Sequence, residues 1–141
     1  MNLTAEERHD VVEYRIEKAQ RTLQEVRDNI PFKHWSLIAN RFFYAAYYAV
    51  SALLIAYGHR VKSHEGTISQ FGLYFAKEGI VPKEMGKLYH DLFELRQTGD
   101  YSDNYDLAEE DVMPLIEPTE QLIEKVTALA KEKLKTDAPP Q

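Results

Sequence analysis

Between residues 33 and 57 the chain offers almost no polar side to a helix. Trp35, Ile38, Phe42, Ala45, Ala49 and Leu53 make one apolar face, and Phe43, Ala46, Val50 and Leu54 make another. A helix apolar nearly all round must be covered on every side, so it belongs at the centre of a bundle or at a dimer interface. Ala45, Ala46, Ala49, Ser51 and Ala52 are small enough to let neighbouring helices come close. Gly58 is placed to cap the C-terminal end. Residues 42–57 are also the only candidate membrane segment. They are short for a span, carry Tyr44, Tyr47, Tyr48, Tyr57 and Ser51, and are bordered by Asn40-Arg41 and Gly58-His59-Arg60. A buried core helix is the better reading.

The rest of the chain supplies helices to cover that one. Thr4 and Glu7 make a capping box, which predicts a first helix from about Ala5. Val12, Ile16, Ala19, Leu23, Val26 and Ile30 follow at steps of four and three, and Pro31 ends the run. Ser63 predicts the N-cap of a shorter third helix, with Ile68, Phe71 and Phe75 inward and Gly79 at its end. Pro82 suits the first turn of a fourth helix, with the stripe Met85, Leu88, Leu92 and Leu95 and a stop at Gly99. Residues 100–111 read as an acidic loop. A fifth helix carries Val112, Leu115, Thr119, Leu122, Val126 and Leu129. Pro118 either kinks it or marks its true start. The expected architecture is all-α: an up-and-down bundle of about five helices. Residues 1–135 form one domain, and residues 136–141 a frayed tail.

Charge and cysteine content limit what such a bundle can do. With 17 Lys+Arg against 23 Asp+Glu the net charge is −6, so any nucleic-acid contact must come from a local patch. There are no cysteines, which removes disulfides and Cys-ligated zinc and suits a reducing cytoplasm. The N-terminus has no apolar signal-peptide core, so the expected location is cytoplasmic. Asp100, Asp103 and Asp106 lack the register of an EF-hand. His90, Asp91 and Glu94 share a helical face of the kind that usually meets solvent. No metal site and no cofactor are expected.

Three polar clusters stand out. Arg96 and Asp100 are four residues apart, so one helical face can carry both. The guanidinium could grip a phosphate with two parallel hydrogen bonds, or pair with the carboxylate and pin the helix end. Asn40-Arg41 is the only strongly polar step in the apolar helix. Arg41 could join Arg96 in an anion-binding cleft or pair with an acidic neighbour. His59-Arg60-Val61-Lys62-Ser63-His64 is the most basic segment; Ser63 and His64 would lie near free backbone N–H groups, with an ordinary solvated loop as the alternative.

In order along the chain, Asn40-Arg41 with its aromatic run, Lys62-Ser63-His64, and Arg96-Gln97-Thr98-Gly99-Asp100-Tyr101 resemble the HEPN domain family. The resemblance covers residues 9–125 and is to the prokaryotic kind paired with a minimal nucleotidyltransferase. It implies a small helical module, often a metal-independent ribonuclease or toxin, that binds RNA or nucleotide. Its catalytic pattern is an Arg, usually followed by a polar residue, with a His four to six residues on. Here Asp100-Tyr101 stands where that His should be, and no His follows His90. The resemblance implies that Arg96 contacts RNA. Taken with the residues themselves, it makes Arg96, Asp100 and Tyr101 the candidate catalytic residues, and Asn40, Arg41, Lys62, Ser63, His64 and Arg96 the candidates for binding RNA or nucleotide. It also makes Tyr101 a candidate for nucleotide transfer by the partner.

Cleavage through a 2′-hydroxyl needs an acid and a base poised near neutral pH. Unperturbed Asp titrates near ~3.9 and Tyr near ~10, so the motif is poorly tuned. The expected function is the HEPN half of a toxin–antitoxin or nucleotidyltransferase pair. The alternative is a non-catalytic adaptor that binds a partner through the same cleft. The apolar surplus of the second helix also predicts a homodimer. Light scattering across micromolar concentrations should report a dimer; a monomer throughout would remove this expectation and any composite site.

Overall fold

The computed structural model describes residues 3–102 and 106–137. It is an all-α up-and-down bundle: α1 (Ala5–Asn29), α2 (Trp35–Ala56), α3 (His64–Phe71), α4 (Lys83–Tyr101), α5 (Glu109–Val112) and α6 (Ile116–Thr136). α2 lies at the centre and packs against α1, α3, α4 and α6. Ala45, Ala46, Ala49 and Ala52 are wholly buried, and these small residues let the neighbours approach. α2 is long and apolar enough to cross a membrane, but 72% of its apolar window is buried inside the bundle. The apolar surplus that suggested a dimer is therefore largely taken up within the chain.

The helix ends follow local chemistry. Thr4 and Glu7 form the reciprocal capping box at α1, with bonds of 2.9 and 3.1 Å. Pro31 falls in a 3-10 turn at Ile30–Phe32. α2 ends at Ala56 and is closed off by Gly58, whose φ of +88° is a left-handed conformation that glycine adopts without a Cβ penalty. There the Gly58 and His59 amides donate to Ile55 and Leu54. Ser63 Oγ caps α3 by accepting from the Gly66 amide at 2.9 Å. α3 runs on through a π turn, Gly72–Ala76, and the segment closes at Gly79 with φ +78°.

Three details correct the sequence reading. Gly99 does not end α4; the helix continues through Tyr101. A Cβ on Gly99 would meet Leu107 Cδ1 at 2.8 Å and Ser36 Cβ at 3.3 Å, so the glycine serves close approach rather than termination. Residues 100 and 101 are consequently helical, not loop. The buried face of α4 also centres on Tyr89, Leu92 and Phe93, while Met85, Leu88 and Leu95 are half-buried. Tyr89 stacks on Phe43 at 6.0 Å and meets Phe71 edge-on at 5.9 Å. A tyrosine carries a polar tip, and its hydroxyl here has no partner among the described residues.

The fifth helix is divided. α5 passes through a 3-10 turn, Met113–Leu115, into α6, and Pro118 sits in the first turn of α6, where no intrahelical donor is lost. Pro118 therefore marks a start rather than a kink. Lys133 in the last turn pairs with Asp137 at 3.3 Å. Of the acidic triplet, Asp103 lies outside the described residues, as do residues 138–141 of the expected tail.

Gly58→Ala isolates the cost of the left-handed cap, because no atom lies within 4 Å of the Cβ it would add. Urea unfolding should show a loss of about 1–2 kcal/mol; an unchanged midpoint would mean the turn relaxes without strain.

Candidate functional site

The last turn of α4 lies against the first half of α2, and this brings the polar residues of both together. Arg96 Nε donates to Asp100 Oδ2 at 3.1 Å, as the four-residue spacing allows. The same oxygen accepts from Asn40 Nδ2 at 3.0 Å. Asn40 Oδ1 in turn accepts from Arg41 Nε at 3.1 Å and Nη2 at 2.9 Å. The Asn40 amide thus links two arginines through one carboxylate. Arg41 Nη1 also lies 3.9 Å from Glu25 on α1.

Aromatic rings hold the guanidiniums. Arg96 lies 5.4 Å from the Tyr44 ring centroid and Arg41 lies 5.3 Å from it, so one ring serves both cations. Arg96 is also 5.6 Å from Phe43 and 5.6 Å from Tyr101. Its side chain is only 12% exposed. Arginine tolerates this because its charge is spread over a plane that can stack. Each guanidinium has five N–H groups. Each engages two nitrogens in hydrogen bonds among the described residues, with Arg96 Nη2 reaching the Tyr101 hydroxyl at 3.4 Å. Donors remain on both for an oxyanion. Tyr101 itself is 69% exposed.

His64, the first residue of α3, packs against the same rings. It lies 5.0 Å from Phe43, 5.6 Å from Tyr44 and 4.8 Å from Tyr47. Its Nδ1 is buried without a partner among the described residues. Burial, and then the nearby positive charge of Arg96, lower its pKa; Glu65 opposes them. The ring is held neutral near pH 7.

The structure brings Asn40, Arg41, Arg96, Asp100 and Tyr101 into one cluster with His64 beside it. It does not bring Lys62 or Ser63 into it. Ser63 is engaged as the α3 cap, and Lys62 lines a different cavity. Sequence reasoning missed the roles of Tyr44 and Glu25. Arg41 and Tyr44 are three residues apart on one helix face, which was the available signal for the ring. Glu25 comes from another helix, and nothing local marks it. His90, Asp91 and Glu94 do place ligand atoms within 4.8 Å of one another, but Asp91 binds Lys87 at 3.1 Å and His90 lies 3.5 Å from Glu94.

The described elements form a small all-α module round one central apolar helix, whose polar Asn40-Arg41 step faces the Arg96–Asp100 pair. A family profile described as the HEPN domain matches residues 12–133, and the chain belongs to this family. It is similar to a UPF0332 protein of Thermotoga maritima, with 33% identity over 89% of this chain and 96% of the relative. A second UPF0332 protein, from Gloeobacter violaceus, shares 33% identity over 72% and 81% of the two chains. A candidate toxin of Methanocaldococcus jannaschii shares 30% identity over 65% and 68%.

The depressed pKa of His64 has a consequence for stability. Between its folded value and the ordinary value of about 6.5, the unfolded chain binds the proton more readily. The stabilising contribution is therefore full above about pH 6.5 and is lost as pH falls through that value towards the folded pKa. NMR should show His64 titrating below the ordinary histidine value. The urea midpoint should fall between pH 7 and 5, and by less in His64→Phe. A His64 midpoint at or above the ordinary value would contradict the burial described.

Proposed function

We propose that this chain is the HEPN component of a toxin–antitoxin or nucleotidyltransferase pair in the cytoplasm, and that it binds RNA or nucleotide phosphate through Arg96, Arg41 and Asn40. The observation that carries this reading is the pair of guanidiniums set on one Tyr44 ring with N–H groups still free. Two planar cations at fixed positions suit a phosphodiester, which offers paired acceptor oxygens. The candidate toxin among the relatives supports a toxin role. A second copy of the chain and a minimal nucleotidyltransferase are the partners this reading names, with Tyr101 available to solvent as an acceptor for the latter.

Cleavage, on this reading, is weak and independent of metal. Arg96 can stabilise charge on a phosphorane. Asp100 is a poor proton shuttle, because its Oδ2 already accepts from Arg96 and Asn40. His64, neutral and beside Arg96, is the nearest imidazole to the cluster, but its Nδ1 is enclosed. The same occupied carboxylate favours the second reading, a non-catalytic adaptor that uses the arginine face to bind a partner.

Fluorescence anisotropy with a labelled structured RNA separates these readings. Arg96→Ala should weaken binding about tenfold or more, as expected for the loss of charge-assisted hydrogen bonds. Arg41→Ala should weaken it in the same direction. In EDTA, Asp100→His should raise cleavage above wild type by restoring a group that titrates near neutrality. Strong wild-type cleavage untouched by Arg96→Ala would reject the site. Absence of binding to any RNA or nucleotide would favour the adaptor.

A further inference from the structure

The end of the bundle where α2 stops carries an apolar surface that no described residue covers. Among the described residues ten large apolar side chains are exposed, and five of them, Leu3, Tyr57, Leu73, Tyr74 and Ile80, belong to this end. They are contiguous through shared neighbours. Tyr57 meets the buried Phe75 edge-on at 5.0 Å, and the Ile80 amide donates to the Phe75 carbonyl at 2.9 Å. Tyr74 stacks on His59 at 4.2 Å, and His59 and Leu3 line one cavity. Leu73 precedes Tyr74 in the π turn, where the Lys77 amide donates to the Gly72 carbonyl at 2.8 Å. Phe75 and Ala76 of that turn are buried, while Leu73 and Tyr74 stay outside. Apolar residues scattered singly over a surface need no explanation, but a contiguous exposed patch marks a face that meets a protein or a membrane.

Cations surround this patch. Arg8, Arg60 and Lys62 line the cavity beside it, and no carboxylate does. Lys77 follows the π turn and is exposed. None of the four pairs with a carboxylate among the described residues. Glu7 is committed to the Thr4 cap, and Asp137 to Lys133, whose ammonium lies 5.2 Å from the Tyr57 ring centroid. The chain as a whole is acidic, with a net charge of −6. However, α2 is 22 residues long, about 33 Å, and at physiological salt exposed charges are largely screened beyond about 8 Å. Carboxylates at the opposite end of the bundle therefore weigh little on what this end meets.

We propose that this end of the bundle rests on an anionic lipid surface, with Tyr57, Leu73, Tyr74 and Ile80 entering the headgroup layer and Arg60, Lys62 and Lys77 meeting the lipid phosphates. Contact is peripheral, since most of α2 stays enclosed by the other helices. The composition of the face favours lipid over other occupants. Leucine and isoleucine side chains offer a polyanion such as RNA no attraction. Lysine is depleted at protein–protein interfaces but is drawn to an anionic membrane. Tyrosine, apolar in body and polar at its tip, is enriched at headgroup level. None of these residues belongs to the Arg96 cluster, so lipid contact here is independent of the function assigned there.

The test is co-sedimentation of the full chain with vesicles of phosphatidylglycerol mixed with phosphatidylcholine, or of phosphatidylcholine alone. At physiological salt the mixed vesicles should bind the chain at least about tenfold more tightly than the neutral ones. Raising the salt to about 1 M should weaken that binding. Arg60→Ala/Lys62→Ala should weaken it at least about tenfold, since each cation near such a surface contributes roughly a fivefold gain. Leu73→Ser/Ile80→Ser should have an effect of about the same size. All four side chains are exposed, and an unaltered melting curve confirms the fold. Phe32→Ser, exposed at the opposite end, should leave binding unchanged. No binding to mixed vesicles at millimolar lipid overturns the proposal. So does equal binding to neutral vesicles, binding indifferent to either double variant, or an equal loss in Phe32→Ser. A dimer in light scattering that Leu73→Ser/Ile80→Ser converts to monomer, without vesicle binding by the wild type, assigns the face to a second copy and also overturns it.

Discussion

The burial of α2 organises the molecule. A helix with apolar side chains on nearly all sides is stable in water only when other helices surround it, since each large side chain left exposed forfeits roughly 1.5–3 kcal/mol. α1, α3, α4 and α6 provide that cover. The consequence reaches the candidate site residues. Asn40 and Arg41 interrupt the apolar surface, so they must lie where the cover ends and partners are within reach. α4 meets that requirement by ending there with Arg96 and Asp100. The polar cluster is thus a product of the packing that buries the rest of the helix.

Distribution of charge matters more than its total. The chain is acidic overall, yet two groups of its cations lie at opposite ends of α2. At one, Arg41 and Arg96 are partly neutralised by Glu25 and Asp100 and steadied by Tyr44. At the other, Arg8, Arg60 and Lys62 have no such compensation. Partial neutralisation allows Arg96 to remain nearly buried without an unpaired charge. Fuller exposure to solvent lets Arg60 and Lys62 stay unpaired at little cost.

Much of the fold was legible because local chemistry and long-range packing agree. The α1 stripe from Val12 to Val26 is buried as its periodicity requires, and the Thr4, Ser63 and Gly58 caps fall where their side chains or lack of one dictate. Gly99 failed as a stop signal because a glycine can be selected by a neighbour's proximity as well as by backbone conformation. Ser36, far away in sequence, and Leu107, across the following loop, decide which. Tyr89 was missed because apolar periodicity does not count a tyrosine as core, although Phe43 and Phe71 accept its ring. The site was legible in residue type but not in partnership. Helical spacing announced the Arg96–Asp100 pair, whereas the Asn40 bond to Asp100 and the shared Tyr44 ring depend on how α2 and α4 cross.

The position of Asp100 bears on how the cluster would meet an anion under the proposed function. Its Oδ2 occupies the point where Arg96 Nε and Asn40 Nδ2 converge, much as one phosphate oxygen would. That keeps both donors aligned in the absence of a ligand and spares Arg96 the cost of being buried without a partner. It also sets a condition on binding. On the proposed reading, an incoming phosphate would either use the remaining guanidinium nitrogens of Arg96 and Arg41 or displace the carboxylate, and close approach of two anions is unfavourable. A histidine at this position would not impose that repulsion and could transfer a proton. An aspartate favours an assembled, charge-balanced cluster over proton transfer. On the proposed reading, the balance between pre-organisation and repulsion at residue 100 is what would separate a binding face from a cleaving one.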